Sequence, residues 1–205
     1  KLDVLLLRPG ALAANLSARA LRVQMELNGA FAAPEVGYRL TAAALSTNDI
    51  NLEGIDASGI ARIDAKRILV PVAGRIARIS GLDSIAGGSL TQVRVNGDLT
   101  VDGSRILSDN MIIRSDRIDA KAILLADTSR GLYTGAFEGR INNYKVDSVG
   151  TFAVQTTADI ERVGGGIALT GTVRARSTQL FNPSIRDFLG GNQVGSSQLT
   201  YGPDG

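Results

Sequence analysis

Apolar positions recur at every second residue along this chain, and the clearest run lies between Leu90 and Asp127. Val93, Val95, Leu99 and Val101 alternate with Arg94, Asn96, Asp98 and Thr100. A period of two gives a strand one apolar face and one solvated face. Asp102-Gly103-Ser104 then predicts a hairpin turn, because glycine accepts the positive φ of a tight reversal. Leu107, Met111 and Ile113 follow, Asp116-Arg117 is a polar break, and Ile118, Ala120, Ala122, Leu124 and Ala126 fall on one face.

The same grammar runs through the rest of the chain. Val4 to Leu7 predicts a short strand ended by Arg8-Pro9-Gly10. Leu21, Val23, Met25 and Leu27 are offset by one from Ala18 and Ala20, which predicts a β-bulge. Asn28-Gly29 turns, and Val36, Tyr38, Leu40, Ala42 and Ala44, then Ile50, Leu52 and Ile55, give further faces. Arg62-Ile63-Asp64-Ala65-Lys66 returns unchanged as Arg117-Ile118-Asp119-Ala120-Lys121, a hint of repeated hairpins. From Gly74 to Ser89 the alternation lapses, and Leu82, Ile85 and Ala86 predict one helical turn closed by Gly87-Gly88. Farther on, Tyr133, Phe137 and Ile141 alternate, Asn142-Asn143 predicts a turn, and Tyr144 and Val146 continue. Phe152, Val154, Thr156, Ala158 and Ile160 pair with Ile167, Leu169, Gly171, Val173 and Ala175 across Gly164-Gly165-Gly166. Asn182-Pro183 opens a short helix with Ile185, Phe188 and Leu189 on its apolar stripe and Gly190 as its stop. Leu199 and Tyr201 suggest a last strand. The fold class is all-β: about a dozen strands of ~20 Å each and one or two very short helices, in a single segment spanning 1–205.

Composition narrows the chemistry. At 205 residues and 44% hydrophobic, the chain can bury a sizeable core. With 22 basic against 20 acidic residues the net charge is only +2, so neither nucleic acid nor another polyanion is read from it. Cysteine and histidine are both absent. That excludes disulfides, thiol catalysis, Cys/His zinc sites and histidine acid/base arrangements. No apolar run is long enough for a membrane span or signal peptide. Because the chain opens inside the apolar run Leu2 to Leu7 and closes on Gly202-Pro203-Asp204-Gly205, it reads as a segment of a longer protein.

The remaining polar constellations read as structure. Asp98, Asp102 and Asp109 lack the spacing of a calcium loop and suit turns. Gly164-Gly165-Gly166 is followed by no lysine and no helix, so a hairpin explains it better than a phosphate loop. Arg174 and Arg176 suit a solvated sheet face, and Lys145 with Ser148 is a weak nucleophile and base pair. The reading is therefore not an enzyme, with no cofactor and no metal.

The physical question is what covers the apolar face, since exposed apolar patches seldom exceed a few hundred Å². A sandwich, a closed barrel and an open trough holding apolar ligand all answer it. The 25 alanines against 9 aromatic residues make a face that is apolar but not bulky, which leaves a self-packed core and a trough both open.

Three stretches carry a resemblance. Tyr133-Thr134-Gly135-Ala136-Phe137-Glu138-Gly139-Arg140-Ile141-Asn142-Asn143-Tyr144, then Gly164-Gly165-Gly166-Ile167-Ala168-Leu169-Thr170-Gly171 through Ser177-Thr178, and Phe188-Leu189-Gly190-Gly191-Asn192 resemble the repetitive β region of the TamB family, within the AsmA-like group. The resemblance implies a long curled sheet forming a taco-like groove with an apolar interior, in a larger periplasm-spanning protein anchored in the inner membrane of a Gram-negative bacterium. It further implies carriage of phospholipid between the membranes and a role in outer-membrane assembly beside an assembly barrel of the TamA type. On that reading the acyl chains would lie on Val93, Val95, Leu99, Val101, Ile118, Ala120, Ala122, Leu124, Val154, Ile167, Leu169 and Val173. The alternative is a scaffold whose strand edges guide client β-strands without carrying lipid.

Overall fold

The computed structural model describes residues 1–5, 16–30, 34–47, 50–64, 67–81, 88–127, 129–146, 148–163, 166–181, 183 and 194–201. In chain order its strands are β1 (Leu2–Leu5), β2 (Leu16–Arg19), β3 (Arg22–Asn28), β4 (Glu35–Thr47), β5 (Ile50–Asp64), β6 (Arg67–Ser80) and β7 (Leu90–Asp102). They continue as β8 (Arg105–Arg114), β9 (Ile118–Asp127), β10 (Leu132–Val146), β11 (Gly150–Val163), β12 (Gly166–Leu180) and β13 (Val194–Tyr201). All thirteen join one antiparallel sheet in the order β1-β3-β4-β5-β6-β7-β8-β9-β10-β11-β12-β13, with β2 alongside β4. The sheet is a meander that does not close into a barrel, and it curls into a taco-like groove with an apolar interior.

Alternation fixes the inner face, because directly paired residues project to the same side. One rank of pairs shows the rule: Leu40, Ala57, Gly74, Val95, Ile113, Ala120, Gly139, Thr156 and Val173 stand side by side from β4 to β12. No second layer among the described residues covers this face. Among the described residues, every pair of elements in substantial contact is a pair of hydrogen-bonded neighbours. The accessible surface is 13337 Å², whereas a compact protein of 21.4 kDa exposes about 9,100 Å². Of the three ways to cover the apolar face, the open trough is the one adopted.

A crease runs along this trough. Ala20, Ala43, Gly54, Ala77 and Gln92 fall opposite one another on successive strands, each at a position where the pairing skips. Every second member has positive φ: Ala20 at 53°, Gly54 at 62° and Gln92 at 52°. The line continues over the β8–β9 turn, where the Asp116 N–H donates to the Thr91 carbonyl at 3.2 Å and the Asn142 N–H to the Arg117 carbonyl at 2.8 Å. It then passes through Asn143, φ 58°, and the register shift between Thr151 and Phe152. Inward residues there stand three apart with two exposed residues between them in Leu52/Ile55, Ile76/Ile79 and Ile141/Tyr144, and Leu90/Val93 keeps the spacing with Thr91 half-buried and Gln92 exposed. In an uninterrupted strand residues three apart point to opposite faces; the left-handed residue restores both to the inside. The buried core gathers here, with Leu90 and Val93 packed against Ile76, Ile79, Val95, Ile113, Ile118 and Ile141.

Several expectations change. Strands β5, β10 and β12 reach 15 residues, about 50 Å at 3.3 Å per residue rather than ~20 Å, because the crease interrupts the alternation within single strands. Gly74 to Ser80 is strand, and Asn142-Asn143 is a bulge inside β10 rather than a turn between strands. Near Ala20, where a bulge is predicted, the chain instead breaks between β2 and β3 without a register shift: Arg19 pairs with Ala44 and Arg22 with Thr41 of the common partner β4. The two pentapeptide copies are not equivalent: Arg62 pairs within β5, whereas Arg117 sits in the β8–β9 turn. Leu82, Ile85 and Ala86, the Arg8-Pro9-Gly10 turn, Gly164-Gly165, and the predicted helix from Asn182 to Gly190 apart from Pro183 lie outside the described residues. Pro183 is helical.

Candidate functional site: an apolar groove

The inner face is built strand by strand from residues that alternation turns inward. Val93, Val95, Leu99 and Val101 come from β7, and Ile118, Ala120, Ala122 and Leu124 from β9. Val154 stands on β11 and Val173 on β12. The register brings these ten to one face. Val95 meets Ile113, which meets Ala120; Ile118 meets Ile141, which meets Val154. Val93 is 1% exposed and Ala120 2%, while the other eight are half-buried, open to the trough. Ile167 and Leu169 pair with Arg162 and Ile160 in the same ladder, and their side chains lie outside the described residues.

Residues on the other side of the same strands show the contrast. Ile123 and Leu125, flanking Leu124, are 49% and 43% exposed on the outer face. Leu124 is more covered than either although among the described residues no layer faces it, so the curl of the sheet supplies the difference.

The floor is smooth because its rings lie down. Tyr38 lies over Gly59, where an added Cβ would come within 2.8 Å of the ring, and its hydroxyl donates to the Pro71 carbonyl at 2.5 Å. Burial holds the Tyr38 phenol above its ordinary pKa. Phe137 covers Gly139 in the same way, at 2.7 Å. Polar atoms on the floor are few: the Ser108 and Thr156 hydroxyls are buried with no hydrogen-bond partner among the described residues. A face of this kind can hold hydrocarbon but offers little to position a reacting group.

Among the described side chains, charge lies on the outer face and in the turns. Asn110 locks the bulge in β8, donating to the Asp98 carboxylate at 2.7 Å and accepting the Asp98 N–H at 2.7 Å. Burial raises the Asp116 carboxyl, but the Thr91 N–H at 2.9 Å, the Arg117 charge and Ser115 together bring it below the usual carboxylate range. The Ser129 hydroxyl, at 2.6 Å, lowers Asp127 in the β9–β10 turn. Among the described residues, no group of three or more acidic side chains is placed to hold a metal ion. Ser148 occupies a turn with φ 64°, and Arg174 and Arg176 are exposed on the outer face.

The sequence reading missed Ile76, Ile79 and Leu90 as lining residues; they pack with Val93, as does Ile141, which it placed on an alternating strand. Their signal was present as spacings of three within strands, which imitate a helical stripe. No protein-family model, no curated protein and no solved structure matches the chain.

Proposed function

We propose that this chain is a segment of a conduit for phospholipid, in which acyl chains lie on the inner face and head groups stay in solvent at the open rim. The observation that carries the reading is an apolar face continued from strand to strand across the sheet with, among the described residues, no protein layer over it. Hydrocarbon exposed to water costs about 0.8 kcal/mol per methylene, so a lipid with two acyl chains gains tens of kcal/mol of shelter on a continuous trough. No catalytic step is needed, and small side chains with reclining rings suit passage along the floor. In line with the TamB resemblance, the place of action is the periplasm, in a parent chain anchored in the inner membrane and working with an outer-membrane assembly barrel.

The test uses neighbouring positions of opposite facing. A photo-crosslinking residue at Val95 or Leu124 is expected to capture phospholipid, and one at Ile123 or Leu125 is not. Equal lipid capture from both faces, or none from the inner one, would end the reading. A scaffold role has its own support: among the described residues β1 and β13 each leave one edge unpaired, and such edges accept client strands. Client adducts from Asp3 or Gln198 with a lipid-free interior would favour it.

A further inference from the structure

On the outer face, one step from the crease, the register lines up arginines. Arg75, Arg94 and Arg114 stand directly opposite one another on β6, β7 and β8, and Arg140 and Arg174 continue the rank on β10 and β12. Like charges directly opposed across strands are destabilising. The chain avoids this elsewhere: on the rim of the same face Asp64, Arg67, Asp102, Arg105 and Asp127 alternate in sign over five strands.

Where this region holds a carboxylate, arginines take it. Arg39 grips Asp56 with two bonds, at 2.6 and 3.1 Å, and Asp119 lies 3.7 Å from both Arg114 and Arg140. The Arg39 hydrogen bond lowers the Asp56 carboxyl, Arg75 directly opposite on β6 helps lower it without a close ion pair, and among the described residues Arg94 has no ion-pair partner. Beside them runs a slot between this rank and the neighbouring rank of Ser58, Ala73 and Asn96, about 7 Å away, containing a cavity of about 700 Å³.

We infer that this slot binds an extended acidic polypeptide segment, whose carboxylates pair with Arg75 and Arg94 along the back of the crease. The width suits one chain, and carboxylate is the anion this rank already holds. Single-stranded nucleic acid fits less well, since no aromatic residue lines the slot to stack on a base. An anionic bilayer averages charge over a Debye length of about 8 Å, and within that range Asp56, Asp119 and Glu138 dilute the stripe.

Fluorescence anisotropy on the 205-residue chain with labelled octaglutamate tests this. Octaglutamine, an oligothymidylate and phosphatidylglycerol vesicles serve as comparators. Octaglutamate is expected to bind at low salt and weaken as salt rises. The double variant Arg75→Gln/Arg94→Gln should lose about ten-fold or more, Arg75→Lys/Arg94→Lys should keep part of the affinity, and Arg67→Gln/Arg105→Gln on the rim should change little. Relief of repulsion should leave the thermal midpoint of the first double variant no lower than that of the parent. Absence of octaglutamate binding, equal loss in both Gln pairs, a preference for oligothymidylate or vesicles, or unfolding of the first pair would each overturn the proposal.

Discussion

Gly171 and Gly74 both face the trough, but a Cβ added at Gly171 would overlap the Thr157 carbonyl oxygen, whereas at Gly74 it would meet nothing nearer than 3.7 Å. Gly171→Ala is therefore expected to destabilise by about 2 kcal/mol through overpacking. Gly74→Ala should stabilise by about 0.5 kcal/mol through the unfolded chain. Urea unfolding midpoints of the two variants check the difference in sign. At this scale the sequence was only partly legible. Alternation tells which face a residue occupies, so Val95 and Leu124 could be placed inside; it does not tell how closely the next strand approaches, which separates the two glycines.

Among the elements, the crease decides most. Gly54 has φ 62° and the Ala77 Cβ only 2.8 Å from where its own Cβ would lie, so Gly54→Ala should cost about 1–2 kcal/mol. Gln92 occupies the same kind of position at φ 52° with an exposed side chain. For Gln92→Gly, relief of strain offsets the added chain entropy, and the change should stay below about 1 kcal/mol. An ordinary strand would give the opposite order, with the glycine introduced at 92 the damaging change; thermal midpoints of both variants distinguish the two cases. The crease also explains where element boundaries were misread. Ile76 and Ile79 are spaced as on a helix, and their pairing with Val93 and Leu90 is a long-range fact that a local window does not contain.

Taken whole, the molecule carries almost no net charge, and this concealed the arginine stripe: its members are scattered in the sequence and gathered only by register. The open trough, left undecided beside a self-packed core by side-chain size, likewise depends on the curl of the entire sheet. Asp56, lowered by the Arg39 hydrogen bond, shares with Asp116 and Asp127 a folded pKa below the unfolded value of about 3.9. The stability these carboxylates contribute is complete above that value and is lost as pH falls through their folded values. With no histidine to titrate, stability should be flat from about pH 5 to 7 and decline below about pH 4, as measured by denaturant midpoints across that range. Since, among the described residues, each strand leans almost wholly on its neighbours, the sheet also has a distinct mechanical character. Drawn apart by its two ends in an optical trap, it should peel one hairpin at a time at low force, a zip fastener rather than a block that fractures at once.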